Sequence, residues 1–261
     1  RVVVVPFRNQ TGDQSLDPLG KMVADWTTQG LLQTGLAEVI LPEMLSDLDA
    51  SKGVRSVVDA TGATLLVTGS YYKVGDSIQF QAQVMKADGS LLQAIEPIYA
   101  STGSVMDGVE AVRQQTLGAL ALELDYKMQE LGSLGPHIPK YEAYQEYIRG
   151  VDLFLVKWDM DACLEPFSRA YNLDTSFMLA LFFKCCAYLN LSQYNQADSL
   201  LRFLSQRRAS LGRLQLLSLD ELKGLLSGNL AQALSAMRQA GKLAPQSMYA
   251  FDWGYLALAN N

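Results

Sequence analysis

Apolar and polar positions recur with two different periods in the two halves of the chain. The first half opens on a run of apolar β-formers within Arg1 to Phe7, chiefly Val2 to Val5, and stops at the turn-rich stretch Asn9, Gln10, Thr11, Gly12 and Asp13. Asp17 followed by Pro18 predicts a helix that Asp17 caps, running to about Thr34 and closing near Gly35. Glu38 to Leu41 reads as a strand, 43–61 as a weak helix ending at Gly62, and Thr64 to Val74 as a longer strand.

Two hairpin signals follow, Gly75-Asp76 and Asp88-Gly89, each flanked by β-rich sequence, and they predict three consecutive antiparallel strands. In the middle strand Ile78, Phe80, Ala82 and Val84 alternate with Gln79, Gln81 and Gln83. One face is therefore expected in a core and the glutamine face in water, the latter reading as an ordinary solvated face rather than a partner contact. From Val105 the period becomes helical through Val109, Val112, Leu117, Leu120, Leu124, Met128 and Leu131. Two glycines and two prolines between Gly132 and Pro139 break that pattern, which places a linker at 132–140. His137 is the single histidine and reads as a surface residue with no second ligand or base beside it.

After Lys140 every segment has helical periodicity, and a repeat emerges when small residues are aligned. Cys163, Ala197 and Ala233 are each followed four residues later by Phe167, Leu201 and Met237, at spacings of 197 − 163 = 34 and 233 − 197 = 36. Small-then-large pairs also stand at Gly150 with Leu153, Cys185 with Tyr188, and Gly254 with Ala257. A period near 34 built from helix pairs resembles the tetratricopeptide (TPR) repeat, and about three and a half such repeats fit 141–261 as an all-α solenoid.

The amino-terminal residues Val2 to Pro6, Phe7, Asn9, Thr11, Gly12 and Asp13, then Leu16 and Pro18, resemble the opening of TolB-like amino-terminal domains. Ala60 to Ser70, a helix end followed by a strand finishing in Gly69-Ser70, is similar to another signature of that family. The resemblance covers residues 1–131 and implies an α/β domain with a mixed sheet flanked by helices and no catalytic residues. Followed by a linker, a tyrosine-rich helix (Tyr141, Tyr144, Tyr147) and TPRs, it looks like the sensory or docking region of bacterial serine/threonine kinases, adenylate cyclases and winged-helix regulators. That arrangement implies a periplasmic or otherwise extracytoplasmic part of a membrane-associated protein, with a cytoplasmic location as the alternative. The chain begins at Arg1 inside a strand and ends within a helical repeat, so it is expected to be a piece of a larger protein.

Hydrophobic residues make up 49% and charged residues 18% of 261 residues, enough apolar material for two packed cores. The net charge of −6 speaks against a nucleic-acid partner and against binding to anionic lipid. No apolar run approaches bilayer length, so direct membrane insertion by this piece is not expected. Cys163, Cys185 and Cys186 sit in helical patterns and read as small packing residues, not as a disulfide framework. No Walker loop and no glycine-rich dinucleotide turn is present, and one histidine supplies neither a triad nor a histidine-rich metal site. Catalytic, cofactor and metal residues are all expected to be none. Asn9, Thr11 and Asp13 read as a turn.

The informative residues lie one step beyond the small packing positions of the repeats. Tyr144, Tyr147, Val151 and Phe154, then Leu179, Phe182, Cys186 and Leu189, then Met248, Phe251, Tyr255 and Leu258 share a face that in TPR proteins lines the concave groove. Here that face is apolar and must be covered, by the chain itself or a second copy in a homodimer, or else by a protein or peptide partner. The resulting expectation is a non-catalytic sensory or protein-interaction module. A cell-envelope scaffold or lipoprotein component is the alternative, and an enzyme with an unrecognised site in the α/β domain is a third reading.

Overall fold

The computed structural model describes residues 1–41, 54–125 and 137–245. The chain divides into two compact units, Arg1–Leu124 and Asp125–Asn261.

In the first unit the valine run forms β1 (Val2–Val4), which pairs in parallel with β3 (Val39–Ile40) on one side and β4 (Leu65–Val74) on the other. Pro6 offers no N–H to the ladder, and the strand resumes beyond it as β2 (Arg8–Asn9), opposite Ser70 and Tyr71 of β4. Asn9, which in sequence reads as part of the turn, thus belongs with Arg8 to the sheet. β4 pairs antiparallel with β5 (Ser77–Lys86) over its whole length. The third antiparallel strand is split into β6 (Leu91–Ala94) and β7 (Ile98–Ser101), which pair with opposite ends of β5. Pro97 lies in the break, and a proline fits there because this strand forms the sheet edge. The product is a mixed sheet in the order β3-β1-β4-β5-β6.

The alternation in β5 sorts its side chains as its sequence demands. Ile78, Phe80, Ala82 and Val84 are buried on the face that packs against α3 (Val105–Leu124), which in turn lies beside α1 (Asp17–Thr34). Glu110 ties the two helices together, accepting from Trp26 Nε1 of α1 and from Arg113 and Gln114 of its own helix. The hydrogen bond from Arg113 leads in holding the Glu110 carboxyl down at about 2, against the opposing effect of burial. On the opposite face, α2 (Val54–Thr61) sets Val54, Val57 and Val58 against Val3, Val5, Ile40 and Leu66. The remainder of the weak helix read over 43–61, and Met128 and Leu131 beyond α3, lie outside the described residues.

Phe7 explains two glycines and the Pro-Phe pairing. Its N–H donates to the carbonyl of Gly20 in α1 at 3.1 Å, so helix and strand meet backbone to backbone. A Cβ on Gly20 would sit 2.1 Å from the Phe7 oxygen, and one on Gly69 would sit 2.2 Å from the Phe7 ring. Beyond Asn9 the turn closes on itself. Asn9 Nδ2 donates to the Asp13 backbone carbonyl and to Asp17 Oδ1, while Asn9 Oδ1 accepts from the Thr11 N–H. Asp13 caps the short turn Gln14–Leu16, and Leu16 precedes α1. Asp17 is therefore the first helical residue rather than the cap, because Asn9 has engaged its carboxylate.

The second unit is helical and serial. The pairs are α4 (Tyr141–Val151) with α5 (Leu164–Leu173), α6 (Met178–Asn190) with α7 (Tyr194–Ser205), and α8 (Arg213–Ser227) with α9 (Leu230–Leu243). The first helices begin at intervals of 178 − 141 = 37 and 213 − 178 = 35 residues. Each pair packs on the next through α5 with α6, α7 with α8, and α6 with α8. The small positions Cys163, Ala197 and Ala233 and their large partners Phe167, Leu201 and Met237 are all buried. Gly150 admits the Phe167 ring, which a Cβ there would meet at 2.6 Å. Gly254 and Ala257 lie outside the described residues.

Candidate functional site

The apolar helical face that the sequence marks as a groove is interior. Tyr144, Tyr147, Val151, Phe154, Leu179 and Phe182 are buried and Leu189 is half-buried, while Phe251 and Tyr255 lie outside the described residues. Tyr147 is the hub of an aromatic cluster, with ring centroids 5.0 Å from Phe177, 5.6 Å from Phe183 and 6.0 Å from Phe167. Phe154 joins it 5.7 Å from Phe183. Edge-to-face packing of this kind adds about 0.5–1.5 kcal/mol per pair beyond area burial. Tyr144 stacks on Tyr141 and donates its hydroxyl to Asp125; burial first and that carboxylate second push the phenol far above its ordinary range. Side chains held this way form a core, and as an open groove this face is closed to a partner.

His137, which in sequence reads as a surface residue without a partner, is instead bound. Its Nε2 lies 3.4 Å from Oδ2 of Asp174, a buried carboxylate in the connection between α5 and α6. The same carboxylate accepts from the backbone of Lys140, which precedes α4, and from the backbone and hydroxyl of Ser176. Burial alone would raise the Asp174 carboxyl, but the hydrogen bonds from His137, Ser176 and Lys140 outweigh it and hold the group well below the usual carboxylate range. Asp174 thus fastens the segment before α4 to the next helical turn. Burial pushes the Cys163 thiol to about 11 and the Cys185 thiol to about 12, so these two stay protonated at neutral pH. Among the described residues no group of three or more His, Cys, Asp or Glu is placed to hold a metal ion, and no helix is long and apolar enough to cross a membrane.

Concavity lies instead on the glutamine face of the sheet. Because α2 covers that face over β1, β3 and Leu66, the remainder forms a cavity of about 670 Å³. Val54, Val57, Leu66 and Met85 form its apolar end, with Thr68, Ser70, Gln81 and Gln83 beyond and Arg8, Asn9 and Gln10 at the rim. Register sets the polar quartet, since Thr68 is directly opposite Gln83 and Ser70 directly opposite Gln81. Gln83 Nε2 donates to Thr68 Oγ1 at 3.2 Å and lies 3.5 Å from Met85 Sδ. Among the described residues the Ser70 hydroxyl and the Gln81 amide have no protein partner, and both face the cavity. The sequence pattern marks these glutamines but suggests only ordinary solvated surface. Alternation reveals which side is polar but not that a helix walls one end of it.

No family model matches this sequence, and no curated protein matches it. Among solved structures the chain is similar to LpoB of E. coli, at 13% identity over 39% of this chain and 56% of that one, with a TM-score of 0.32. It is also similar to the carboxy-terminal domain of Salmonella enterica LpoB (14% identity, 39% and 82% covered, TM-score 0.24). A third is the lipoprotein GNA1162 of Neisseria meningitidis (15% identity, 44% and 94% covered, TM-score 0.28). The chain spans little more than half of the E. coli LpoB chain, and likeness at this level is partial and assigns no activity.

Proposed function

We propose that the chain is a non-catalytic protein-interaction module of a larger bacterial cell-envelope protein, with the α/β unit as its working surface. The observation that carries this reading is the walled cavity on the glutamine face, where the Ser70 hydroxyl and the Gln81 amide face a cavity without a protein partner among the described residues. A concave site with an apolar end and a few convergent polar groups is the usual form of a binding site. The helical unit then serves as a TPR-type scaffold, because Tyr144, Tyr147, Val151, Phe154, Leu179 and Phe182 of its candidate groove are buried. The resemblance to TolB-like domains and the order of the two modules support an extracytoplasmic setting, whether the parent is a sensor or an envelope scaffold.

The test uses the full-length protein in its host, carrying a photo-crosslinking residue in place of Gln81 or, for comparison, of Glu165 on the exposed side of α5. A discrete protein adduct from position 81 and none from 165 is expected. Protease added to spheroplasts should cleave the module; protection would refute the extracytoplasmic setting. A panel of nucleotides and metal ions should leave the melting temperature unchanged. Stabilisation of several degrees by one nucleotide would overturn the non-catalytic reading, since ligand at about 100 times its Kd adds about 2.7 kcal/mol.

A further inference from the structure

We infer that the cavity on the glutamine face is a receptor for an extended peptide segment of a partner protein, laid along β5 with one apolar side chain seated at the α2 end. This rests on the binding-module reading above and names its site and ligand class.

Geometry is the first support. Gln81 and Gln83 are two residues apart on one strand, so their amides repeat at about 7 Å along it. An extended peptide presents like-directed backbone groups at that same two-residue spacing, so one strand's amides fall in step with alternate peptide units of the other. A side-chain amide carries both a donor and an acceptor, the complement of the C=O and N–H of a peptide unit. Gln81 brings both without a protein partner among the described residues. Gln83 donates to Thr68, which fixes its amide in place. The Ser70 hydroxyl, opposite Gln81, adds a further donor and acceptor.

Shape defines the rest. The apolar end is framed by Val54 and Val57 of α2 with Leu66 and Met85 of the sheet. Methionine adapts its shape to different apolar side chains, as a site that accepts more than one residue requires. No aromatic ring stands among the described lining residues, so a nucleobase finds no stacking platform there.

A random dodecapeptide display library selected on the 261-residue chain tests the inference. Enriched peptides, made synthetically, should share an apolar anchor and lose about tenfold or more in affinity against the double variant Gln81→Ala, Gln83→Ala, as the loss of two or more hydrogen bonds implies. Ser70→Trp, which fills the cavity, should abolish binding, and Gln81→Ala alone decides if that variant fails to fold. Gln79→Ala is the control, because Gln79 shares the face but lies outside the cavity and donates to Tyr99. A selection yielding no peptide that the wild type binds more tightly than the double variant overturns the inference. If such peptides are absent while position 81 still crosslinks a folded protein in the host, the peptide class is wrong and the binding-module reading stands. If both fail, both fall.

Discussion

The helical face around Tyr147 and the sheet face around Gln81 differ in what the chain itself has covered. The helical face is apolar, as a face that must be covered would be, and Tyr147 and Phe154 close on Phe167, Phe177 and Phe183 in the interior of the helical array. The sheet face has the composition of plain solvated surface, yet α2 walls one end and turns a row of amides into a cavity lining. Composition thus marks what a face is able to bury, whereas packing decides whether the chain has already buried it. In a helical array the next pair supplies the cover, as α6 covers α5. On the sheet, the described α2 packs on Val3, Val5, Ile40 and Leu66, and the cavity adjoins it.

The sharpest way to break this comparison is to hollow out the supposed core. Phe167→Ala should cost about 3–5 kcal/mol, because Phe167 is fully buried, touches three other rings and fills the space left by Gly150. Urea unfolding followed by helical circular dichroism measures it. A cost below about 1 kcal/mol would mean that Phe167 and the rings around it are not a packed core.

Two smaller effects test how each unit is fastened. Gly69→Ala places a methyl group 2.2 Å from the Phe7 ring and 2.4 Å from the Gln81 carbonyl, and should cost about 1–3 kcal/mol. Asp174→Asn should cost about 2 kcal/mol, the scale of hydrogen bonds to a charged group. The Asp174 carboxyl is depressed in the folded state, so its contribution is fully present well above the ordinary aspartate value of about 3.9 and is lost as pH falls below that value toward the depressed one. Acid unfolding of the wild type should therefore be steeper below about pH 4 than that of Asp174→Asn. Identical acid profiles would show that Asp174 is not a fastener.

What is legible in the sequence follows from the range of each interaction. The burial of Ile78, Phe80, Ala82 and Val84 can be read directly, because a strand's period of two depends on neighbouring residues alone. The helical repeat is legible for the same reason, through the small residues Cys163, Ala197 and Ala233. Pro97 carries the signal that the third strand breaks, through proline's missing N–H, although the hairpin signals on their own predict one unbroken strand. The His137–Asp174 contact spans 174 − 137 = 37 residues and leaves no local trace. Likewise Asn9 holds Asp17 across eight residues, so a capping rule applied locally assigns that carboxylate to the wrong task. The cavity is the least legible, because it needs α2 set against β4 and β5 and comes from no residue's own preference.

The smallest expected effect is the most discriminating. Gln81 is exposed, has no protein partner among the described residues, and sits opposite Ser70 in the middle of a long antiparallel pair. If its role is recognition, its side chain contributes little to the fold, and Gln81→Ala should change stability by no more than about 0.5 kcal/mol. Alanine's lower β-propensity sets the direction of that change, slightly destabilising. Equilibrium urea unfolding, compared with Phe167→Ala under the same conditions, should place the two variants at opposite ends of the range. A cost of about 2 kcal/mol or more for Gln81→Ala would instead make the amide a structural group of the sheet, and the cavity would then be a by-product of packing.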